Sequence, residues 1–179
     1  MNVVIYCSSK ENISQEYKNA AAAIGQWIGS HGATLVYGGI DLGLMKIAAN
    51  ETRKAGGQVV GIVPIDRKAM EYPHNDKSIY VADLNERKAQ LINLGDAFIV
   101  LPGGYGTLDE WIATFASLTF TNDNNKTIIV LNQDGLFDNT IAQLHKMIDC
   151  GLMHPDNMQR MKIVTSANEC CDILQSLNS

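Results

Sequence analysis

The chain has little positive charge for its size, and this excludes one broad class of partner. Its 179 residues include 14 lysines and arginines against 19 aspartates and glutamates, which gives a net charge of −5. Non-specific nucleic-acid binding needs a basic surface, so we expect no nucleic-acid partner. The sequence also has no apolar run that approaches the roughly 20 residues of a membrane span. We therefore expect no membrane partner either.

Patterns for metal ions and disulfides are missing as well. The cysteines show no C-x-x-C spacing and no accompanying histidine cluster; they are Cys7, Cys150, Cys170 and Cys171. Cys170 and Cys171 fall in an apparent helix, where they point in different directions and make a poor ligand pair. Such cysteines behave as small buried hydrophobic residues. The sequence predicts no metal site.

The first residues lack the features of an export signal. The segment Met1-Asn2-Val3-Val4-Ile5-Tyr6 enters a strand pattern at once, without a basic start or a cleavage site. We therefore expect a cytoplasmic protein. The length suits one domain with a full core, and no low-complexity segment or linker divides it.

Short apolar segments alternate with helical patterns along the whole chain. The predicted strands are Val3–Cys7, Thr34–Tyr37, Val59–Val63, Ile79–Val81, Ala97–Leu101, Thr127–Leu131 and Lys162–Val164. The predicted helices are Ser14–Ser30, Leu44–Ala55, Leu84–Leu94, Leu108–Leu118, Leu136–Cys150 and Asn168–Leu177. Such alternation is typical of a parallel sheet covered by helices on both faces. We predict one Rossmann-like, doubly wound α/β nucleotide-binding domain of about seven strands over residues 1–179.

A glycine-rich turn between a buried strand and a helix is the strongest functional signal. Pro102-Gly103-Gly104-Tyr105-Gly106-Thr107-Leu108-Asp109-Glu110 directly follows the apolar strand Ala97–Leu101. Glycines let a ligand approach the main chain, and the free N–H groups of a helix's first turn favour an anion. The segment therefore predicts a phosphate site.

An ordinary structural explanation competes with this prediction. Thr107-x-x-Glu110 also fits a capping box, in which the two side chains bond backbone donors of their own helix and bind no ligand. A capping box does not need three glycines within four residues, so the glycines favour the anion site. Both alternatives remain open at this point.

Other strand exits are expected to meet this turn at one edge of the sheet. Cys7-Ser8-Ser9 and Gly38-Gly39-Ile40-Asp41-Leu42-Gly43 also follow strands, and ligands of such folds bind outside the carboxyl ends of the strands. The second loop does not fit the G-x-G-x-x-G dinucleotide pattern, and no acidic residue ends the next strand. An NAD site is not predicted.

Two adjacent cationic residues on the helix Leu84–Leu94 are candidates to balance the negative charge of a bound anion. Leu84 and Leu91 define its predicted buried stripe, and Arg87 and Lys88 share that face. Positive charge near a helix N-terminus is disfavoured by the helix dipole. The two side chains either extend along apolar surface and pair with Glu86 or Asp83, or face an anionic ligand.

Together these motifs resemble the LONELY GUY (LOG) family of cytokinin riboside 5′-monophosphate phosphoribohydrolases, formerly labelled lysine decarboxylases. The family's P-G-G-x-G-T-x-x-E is intact from Pro102 to Glu110, and its R-K pair falls on Arg87-Lys88. Its G-G-G-x-x-G-L-M-G loop is partly kept, because Ile40 and Lys46 replace two glycines. Asp41 adds a carboxylate near the expected nucleotide pocket.

The resemblance implies hydrolysis of the N-glycosidic bond of a purine nucleoside 5′-monophosphate, with or without an N6-prenyl group. It implies Arg87 and Glu110 as catalytic residues. It implies a substrate-binding set of Lys88, Gly103, Gly104, Tyr105, Gly106, Thr107, Asp109, Gly38, Gly39, Ser8 and, in the long irregular stretch of residues 64–77, Glu71. No cofactor is implied.

The resemblance also implies a homodimer. The apolar character of 111–120 on nearly every side suits a helix covered by both sheet and partner, or a helix buried deeply in a monomer. A decarboxylase would need pyridoxal phosphate on a Schiff-base lysine, for which only Lys88 is a candidate. The competing class is a non-catalytic carrier of a phosphorylated cofactor such as the molybdenum cofactor. A carrier needs the glycines but has no need of Arg87 with Glu110.

Overall fold

The seven predicted strands form a single parallel sheet. The computed structural model describes residues 1–121, 123 and 125–178. Its strands are Asn2–Tyr6 (β1), Thr34–Tyr37 (β2), Gln58–Pro64 (β3), Lys77–Val81 (β4), Ala97–Val100 (β5), Thr127–Leu131 (β6) and Met161–Val164 (β7). They lie in the order β4-β3-β2-β1-β5-β6-β7, and every neighbouring pair is parallel. The predicted doubly wound α/β fold is confirmed.

Within the described residues, six α-helices cover the two faces of the sheet. They are Gln15–Ser30 (α1), Gly43–Lys54 (α2), Leu84–Leu94 (α3), Tyr105–Phe120 (α4), Asp138–Asp149 (α5) and Ala167–Leu177 (α6). Buried side chains of α1, α2 and α6 belong to one apolar cluster, and those of α3, α4 and α5 to the other. The sheet separates these clusters because successive residues of each strand point to opposite faces.

The central strands are apolar because both of their faces are covered. All four residues of β5 are buried, and all of β1 except Asn2 is buried. A strand that is buried on both sides lacks the polar alternation of a half-exposed strand. For this reason the apolar segment before the glycine-rich turn can be recognised from the sequence as a buried strand.

The order of strands reverses between β1 and β5. Chain connections from β1 lead to helices on one face, and those from β5 lead to helices on the other. The two strands are in register with Tyr6 opposite Val100, so their following loops leave side by side, and the N–H of Ser8 donates to the carbonyl of Pro102 at 3.1 Å. Such a reversal opens a crevice at the carboxyl edge of the sheet.

Two features differ most from the sequence-based expectation. Helix α4 begins at Tyr105 and not at Leu108, because Gly104 serves as its N-cap and the following glycine is tolerated in the first turn. Leu84, expected in the buried stripe of α3, is 61 % exposed, because as the first residue of the helix it projects over the crevice.

The long irregular stretch contains a short 3-10 helix, Ile65–Met70. Within the described part of the chain, no helix combines the length and hydropathy of a membrane span. The same residues contain no cluster of three or more His, Cys, Asp or Glu side chains that would hold a metal ion.

Candidate active site

A cleft of about 310 Å³ opens beside β1 and β5 at the carboxyl edge of the sheet. The loop after β1, the start of α3 and the start of α4 form its walls. Of the predicted site residues, the cleft is lined by Ser8, Arg87, Lys88, Gly104, Tyr105, Gly106, Thr107, Asp109 and Glu110. Predicted residues from three separate stretches of the chain therefore meet at the topological switch point, where doubly wound folds bind ligands.

The N-terminus of α4 faces this cleft without a side-chain cap from any described residue. The N-cap residue, Gly104, has an extended backbone conformation, with φ −93° and ψ −156°. The first turn of the helix contains no acidic residue. The first-turn N–H groups of a helix have no partner inside the helix and carry the positive end of its dipole. This end of α4 is suited to hold an anion.

Gly103 has a steric role in this turn. A Cβ at Gly103 would collide with the side chain of Thr107, which is buried in the first turn of α4. The absence of a side chain at Gly103 therefore lets Thr107 fold back under the loop. Gly104 and Gly106, by contrast, would have open space around a Cβ, so they leave the approach to the helix end free.

A buried ion pair lies beside this helix end. Arg87 Nη2 donates to Glu110 Oε1 at 2.7 Å, and the side chains are only 17 % and 12 % exposed. The Nε of Arg87 is buried and has no hydrogen-bond partner among the described residues. Both charges thus line the cleft with little water around them, where electrostatic interactions are stronger than at the surface.

Burial controls the protonation of Glu110. Removal from water raises the pKa of Glu110, because desolvation disfavours the carboxylate, and the positive charge of Arg87 opposes that rise. Catalytic acids and bases typically have shifted pKa values and lie in clefts, as Glu110 does.

A second ion pair runs parallel to the first. Lys88 Nζ donates to both carboxylate oxygens of Asp109, at 2.8 and 2.9 Å. Adjacent residues on α3 therefore pair with adjacent residues on α4. The alternative partners considered for the two cations, Asp83 and Glu86, instead accept backbone N–H groups at the start of α3.

The capping-box alternative for Glu110 is wrong. Because α4 begins at Tyr105, neither Thr107 nor Glu110 is placed to cap it, and the carboxylate bonds to Arg87 instead. The chain does contain such a box at α6, where Ser166 Oγ accepts the N–H of Glu169 and the Glu169 carboxylate accepts the N–H of Thr165. The two sequence patterns look alike, but their carboxylates have different partners.

Four predicted binding residues lie outside the lining of the cleft: Gly103, whose steric role is described above, and Gly38, Gly39 and Glu71. Gly38 and Gly39 are buried at the exit of β2, and Gly39 has a φ of +72°, which a side chain rarely adopts. Glu71 accepts hydrogen bonds from Ser78 and from Tyr80, and the hydrogen bond from Ser78 lowers the pKa of Glu71. These residues shape the loops around the site.

The N-terminus of α2 is closed by the protein itself. Glu11 Oε1 accepts the N–H of Gly43 at 3.0 Å, and a Cβ at Gly43 would come within 2.6 Å of the backbone of Ser9. A carboxylate therefore already neutralises this helix end. Of these two helix ends, α4 is the one left for an external anion.

The replacements in the early glycine loop compensate one another. Lys46 Nζ lies 3.3 Å from Asp41 Oδ1, and neither side chain lines the cleft. The carboxylate of Asp41 is therefore directed to Lys46 and not into the cleft, contrary to expectation. Ile40 points elsewhere, into a neighbouring cavity.

That neighbouring cavity measures about 440 Å³ and adjoins the cleft, because Ser9, Met45, Leu84 and Arg87 line both. Its remaining wall is mostly apolar; the apolar members are Ile40, Leu42, Pro64, Met70 and Ala82, and the charged ones are Asp66, Arg67 and Asp83. Sequence analysis missed Met45 and also Lys10, which lines the cleft. Lys10 directly follows Ser8-Ser9 at a strand exit, so its position in the chain was a usable signal.

Comparison with known proteins finds relatives along nearly the whole chain. The profile of the family described as "Possible lysine decarboxylase" matches residues 45–174. The chain is 32 % identical to the cytokinin riboside 5′-monophosphate phosphoribohydrolase LOG5 of Arabidopsis thaliana, with 99 % of this chain and 77 % of the relative covered. It is 33 % identical to the probable cytokinin riboside 5′-monophosphate phosphoribohydrolase LOGL5 of Oryza sativa subsp. japonica, with 98 % and 70 % covered.

Among solved structures, the molybdenum cofactor binding protein of Rippkaea orientalis has the same fold. The TM-score is 0.78 at 24 % identity, and 99 % of this chain and 97 % of that one are covered. The family profile, the near full-length likeness to the plant proteins and the intact motif at the cleft lead to one conclusion: this chain is a member of the LOG family.

Proposed function

We propose that this protein hydrolyses the N-glycosidic bond of purine nucleoside 5′-monophosphates and releases the free base and ribose 5-phosphate. The observation that carries the proposal is the juxtaposition of an uncapped helix N-terminus with the buried Arg87–Glu110 pair in one cleft. The first feature suits a phosphate, and the second suits the breaking of a bond in which charge develops.

The 5′-phosphate would bind at the start of α4. The backbone N–H groups of Tyr105, Gly106 and Thr107 point from an uncapped helix end, and charge-assisted hydrogen bonds to a phosphate are stronger than neutral ones. Lys10, which also lines the cleft, adds a positive charge. Gly104 lets the phosphate approach because it carries no side chain.

The ribose would then lie against the Arg87–Glu110 pair. As the bond from C1′ to the base breaks, the ribose gains oxocarbenium character, which the Glu110 carboxylate stabilises. A water molecule adds its oxygen to C1′, its protons are shared between the new hydroxyl group and the departing base, and the bonding electrons leave with the base. Arg87 holds the carboxylate in place and stabilises negative charge on the departing base.

The base would occupy the second cavity. That cavity begins at Arg87 and is mostly apolar, as expected for the site of a flat, weakly polar ring. Its volume of about 440 Å³ leaves room for a substituent on N6. Prenylated and unsubstituted adenine nucleotides are therefore both candidate substrates.

The word decarboxylase in the family description does not match these residues. Decarboxylation requires pyridoxal phosphate on a Schiff-base lysine and a carboxylate for the pyridine nitrogen. Lys88 donates hydrogen bonds to both carboxylate oxygens of Asp109, and Arg87 donates a hydrogen bond to Glu110. These residues do not fit that cofactor.

The test is product release from AMP and from N6-prenyl-AMP. Purified protein is incubated with each nucleotide, free base is measured by chromatography and ribose 5-phosphate by mass spectrometry, with Glu110→Gln as the blank. Equal amounts of the two products are expected from at least one substrate. If no base appears from either nucleotide, the hydrolase proposal fails.

The alternative is a non-catalytic carrier of a phosphorylated cofactor. The likeness to a molybdenum cofactor binding protein supports the shared fold, and such a carrier would use the same glycines. It would have no use for a buried Arg87–Glu110 pair. The same experiment separates the two, because a carrier binds the nucleotide or cofactor without releasing ribose 5-phosphate.

A further inference from the structure

Gly38 lies at the exit of β2, and its backbone conformation is one that other residues can also adopt. Its φ is not among the positive values found at six other glycines of the described chain. It is buried and does not line the cleft. The reason for a glycine at this position must therefore be space and not backbone freedom.

The space at Gly38 is filled by Arg87. A Cβ at Gly38 would lie 2.6 Å from Arg87 Nη2 and 3.1 Å from Arg87 Cζ, and 3.0 Å from the sulfur of Met45. The same Nη2 donates to Glu110 at 2.7 Å. The guanidinium is thus held between the β2 exit on one side and α4 on the other.

We propose that Gly38 is a positioning residue for catalysis: it forms the slot that places the Arg87 guanidinium against Glu110. The inference rests on the proposed hydrolase function for its kinetic readouts. It assigns to the first glycine of the early loop a role in seating the catalytic arginine and no contact with substrate. A methyl group at position 38 displaces the guanidinium, because 2.6 Å is closer than real Cβ contacts.

The first experiment compares Gly38→Ala with a matched control, Gly95→Ala. A Cβ at Gly95 would also meet side chains at 2.6 Å, those of Phe98 and Val4, and its φ of −75° accepts alanine. Gly95 ends the same helix that carries Arg87 but lies away from the cleft. Both variants are expected to lose thermal stability.

Only Gly38→Ala is expected to lose turnover. Because misplacement of a catalytic group by about 1 Å costs roughly 10²-fold in rate, we expect kcat per folded molecule to fall about that much, with KM changed less. Gly95→Ala keeps kcat within about threefold. Equal kcat losses in the two variants would overturn the proposal.

The second experiment asks whether the effect passes through Arg87. Arg87→Lys keeps the charge but removes Nη2, the atom that the new methyl group would strike. In a double-mutant cycle, Gly38→Ala should lower the melting temperature strongly in the protein that retains Arg87. The same substitution should lower it little in the Arg87→Lys background. Likewise kcat of the double variant should match that of Arg87→Lys. If the effects of the two single variants on melting temperature and on the logarithm of kcat simply add in the double variant, the proposal is overturned.

The melting-temperature cycle does not depend on activity, so it separates the two proposals. If the unaltered protein releases no base but the cycle shows coupling, the hydrolase function fails and Gly38 still seats Arg87. If base is released but no coupling appears, the hydrolase function stands and the role of Gly38 fails.

The acid limb of the pH profile gives a third readout that a general loss of packing would not move. Several charged or titratable groups face Glu110; they are Arg87 and Lys88 of α3, Asp109 of α4, and Tyr6 and Cys7 at the end of β1. Of these, Arg87 is the principal group that lowers the pKa of Glu110. Its displacement in Gly38→Ala should shift the acid limb to higher pH, while an unshifted limb would contradict the displacement.

Discussion

At the scale of single residues, the environment of a carboxylate decides what its local motif means. Glu110 and Glu169 each stand three residues after a threonine or serine near the start of a helix. Glu169 accepts a backbone N–H and is solvent-exposed, whereas Glu110 is buried against Arg87. The difference comes from where each helix begins, and from the neighbouring helix α3.

Exchange of these two carboxylates for amides should therefore have opposite outcomes. Glu110→Gln keeps the size of the side chain but removes the negative charge, so we expect kcat to fall about 10²–10³-fold, the usual cost of losing one electrostatic contact to the transition state. Glu169→Gln should keep full activity, because glutamine serves a capping box as well. Steady-state kinetics and circular dichroism on both variants check this. Unchanged turnover in folded Glu110→Gln would exclude the catalytic role.

The pH dependence should report the buried carboxyl group. Glu110 must be ionised to stabilise a positive ribose, and burial raises its pKa. As the pH falls, Glu110 takes up a proton at a higher pH than an exposed glutamate does, so kcat/KM should begin to drop about tenfold per pH unit above the usual 4.3. Hydrogen bonds lower the pKa of Glu71 and of Glu169, so those groups do not produce this limb. A profile flat down to about pH 4.3 contradicts the assignment.

Part of this site could be predicted from sequence, and part could not. The spacing within α3 placed Arg87 and Lys88 on one face, but their partners lie more than 20 residues away on α4. A pairing of that kind depends on how two helices pack, and spacing along one helix carries no information about it. The filling of the space at Gly38 by Arg87 is hidden for the same reason.

At the scale of elements, α4 combines an exposed N-terminus with a buried body. Gly104 is a weak N-cap, because a glycine offers no acceptor to the first-turn N–H groups. A protein selected for stability alone would place aspartate or serine there. The missing cap leaves the helix end free for an anion.

Gly104→Asp should therefore raise stability and lower activity together. A Cβ at Gly104 meets no atom within 4 Å, and its φ of −93° accepts a side chain. An aspartate cap should add about 0.5 kcal/mol, which raises the melting temperature by about 1–2 °C in a domain of this size. Because its carboxylate occupies the proposed phosphate site, KM should rise at least tenfold. Gly104→Ala, which adds no charge, should raise KM far less; similar KM values for the two would contradict the phosphate site.

The elements themselves were largely predictable. The expected bounds of β2, β6 and α3 are those of the structure, and the ends of the other elements differ by at most three residues. The largest errors occur where glycine serves as a cap, at Tyr105, and where a leucine at a helix start faces the cleft, at Leu84. In both places the requirements of a binding site outweigh the usual preferences of a helix end or of an apolar side chain.

At the scale of the whole molecule, one topological fact organises the site. The reversal of strand order between β1 and β5 brings together the loops after these strands, and helices α3 and α4 on one face then supply paired charges. Alternation of strands and helices predicts such a sheet, but not which two strands flank the reversal. The position of the cleft therefore needed the structure.

The same arrangement leaves one helix face uncovered, and we propose that a second copy of the chain covers it. Trp111, Phe115 and Leu118 of α4 are buried. The outer face of the same helix carries apolar side chains at four-residue intervals; they are Leu108, Ile112, Ala116 and Phe120, of which Phe120 is 92 % exposed. An apolar stripe rarely stays open to water on a monomeric protein.

Light scattering should accordingly give twice the 19.6 kDa of one chain. Ile112→Glu puts an unpaired charge in the middle of the stripe, where burial without a partner is costly, and should shift the mass to that of one chain. Asn19→Glu adds the same charge on α1, across the sheet, and should leave the doubled mass unchanged. Because the stripe and the cleft share α4, activity that falls with dilution in step with the mass would link assembly to the site. A single-chain mass for the unaltered protein at micromolar concentration would contradict the dimer.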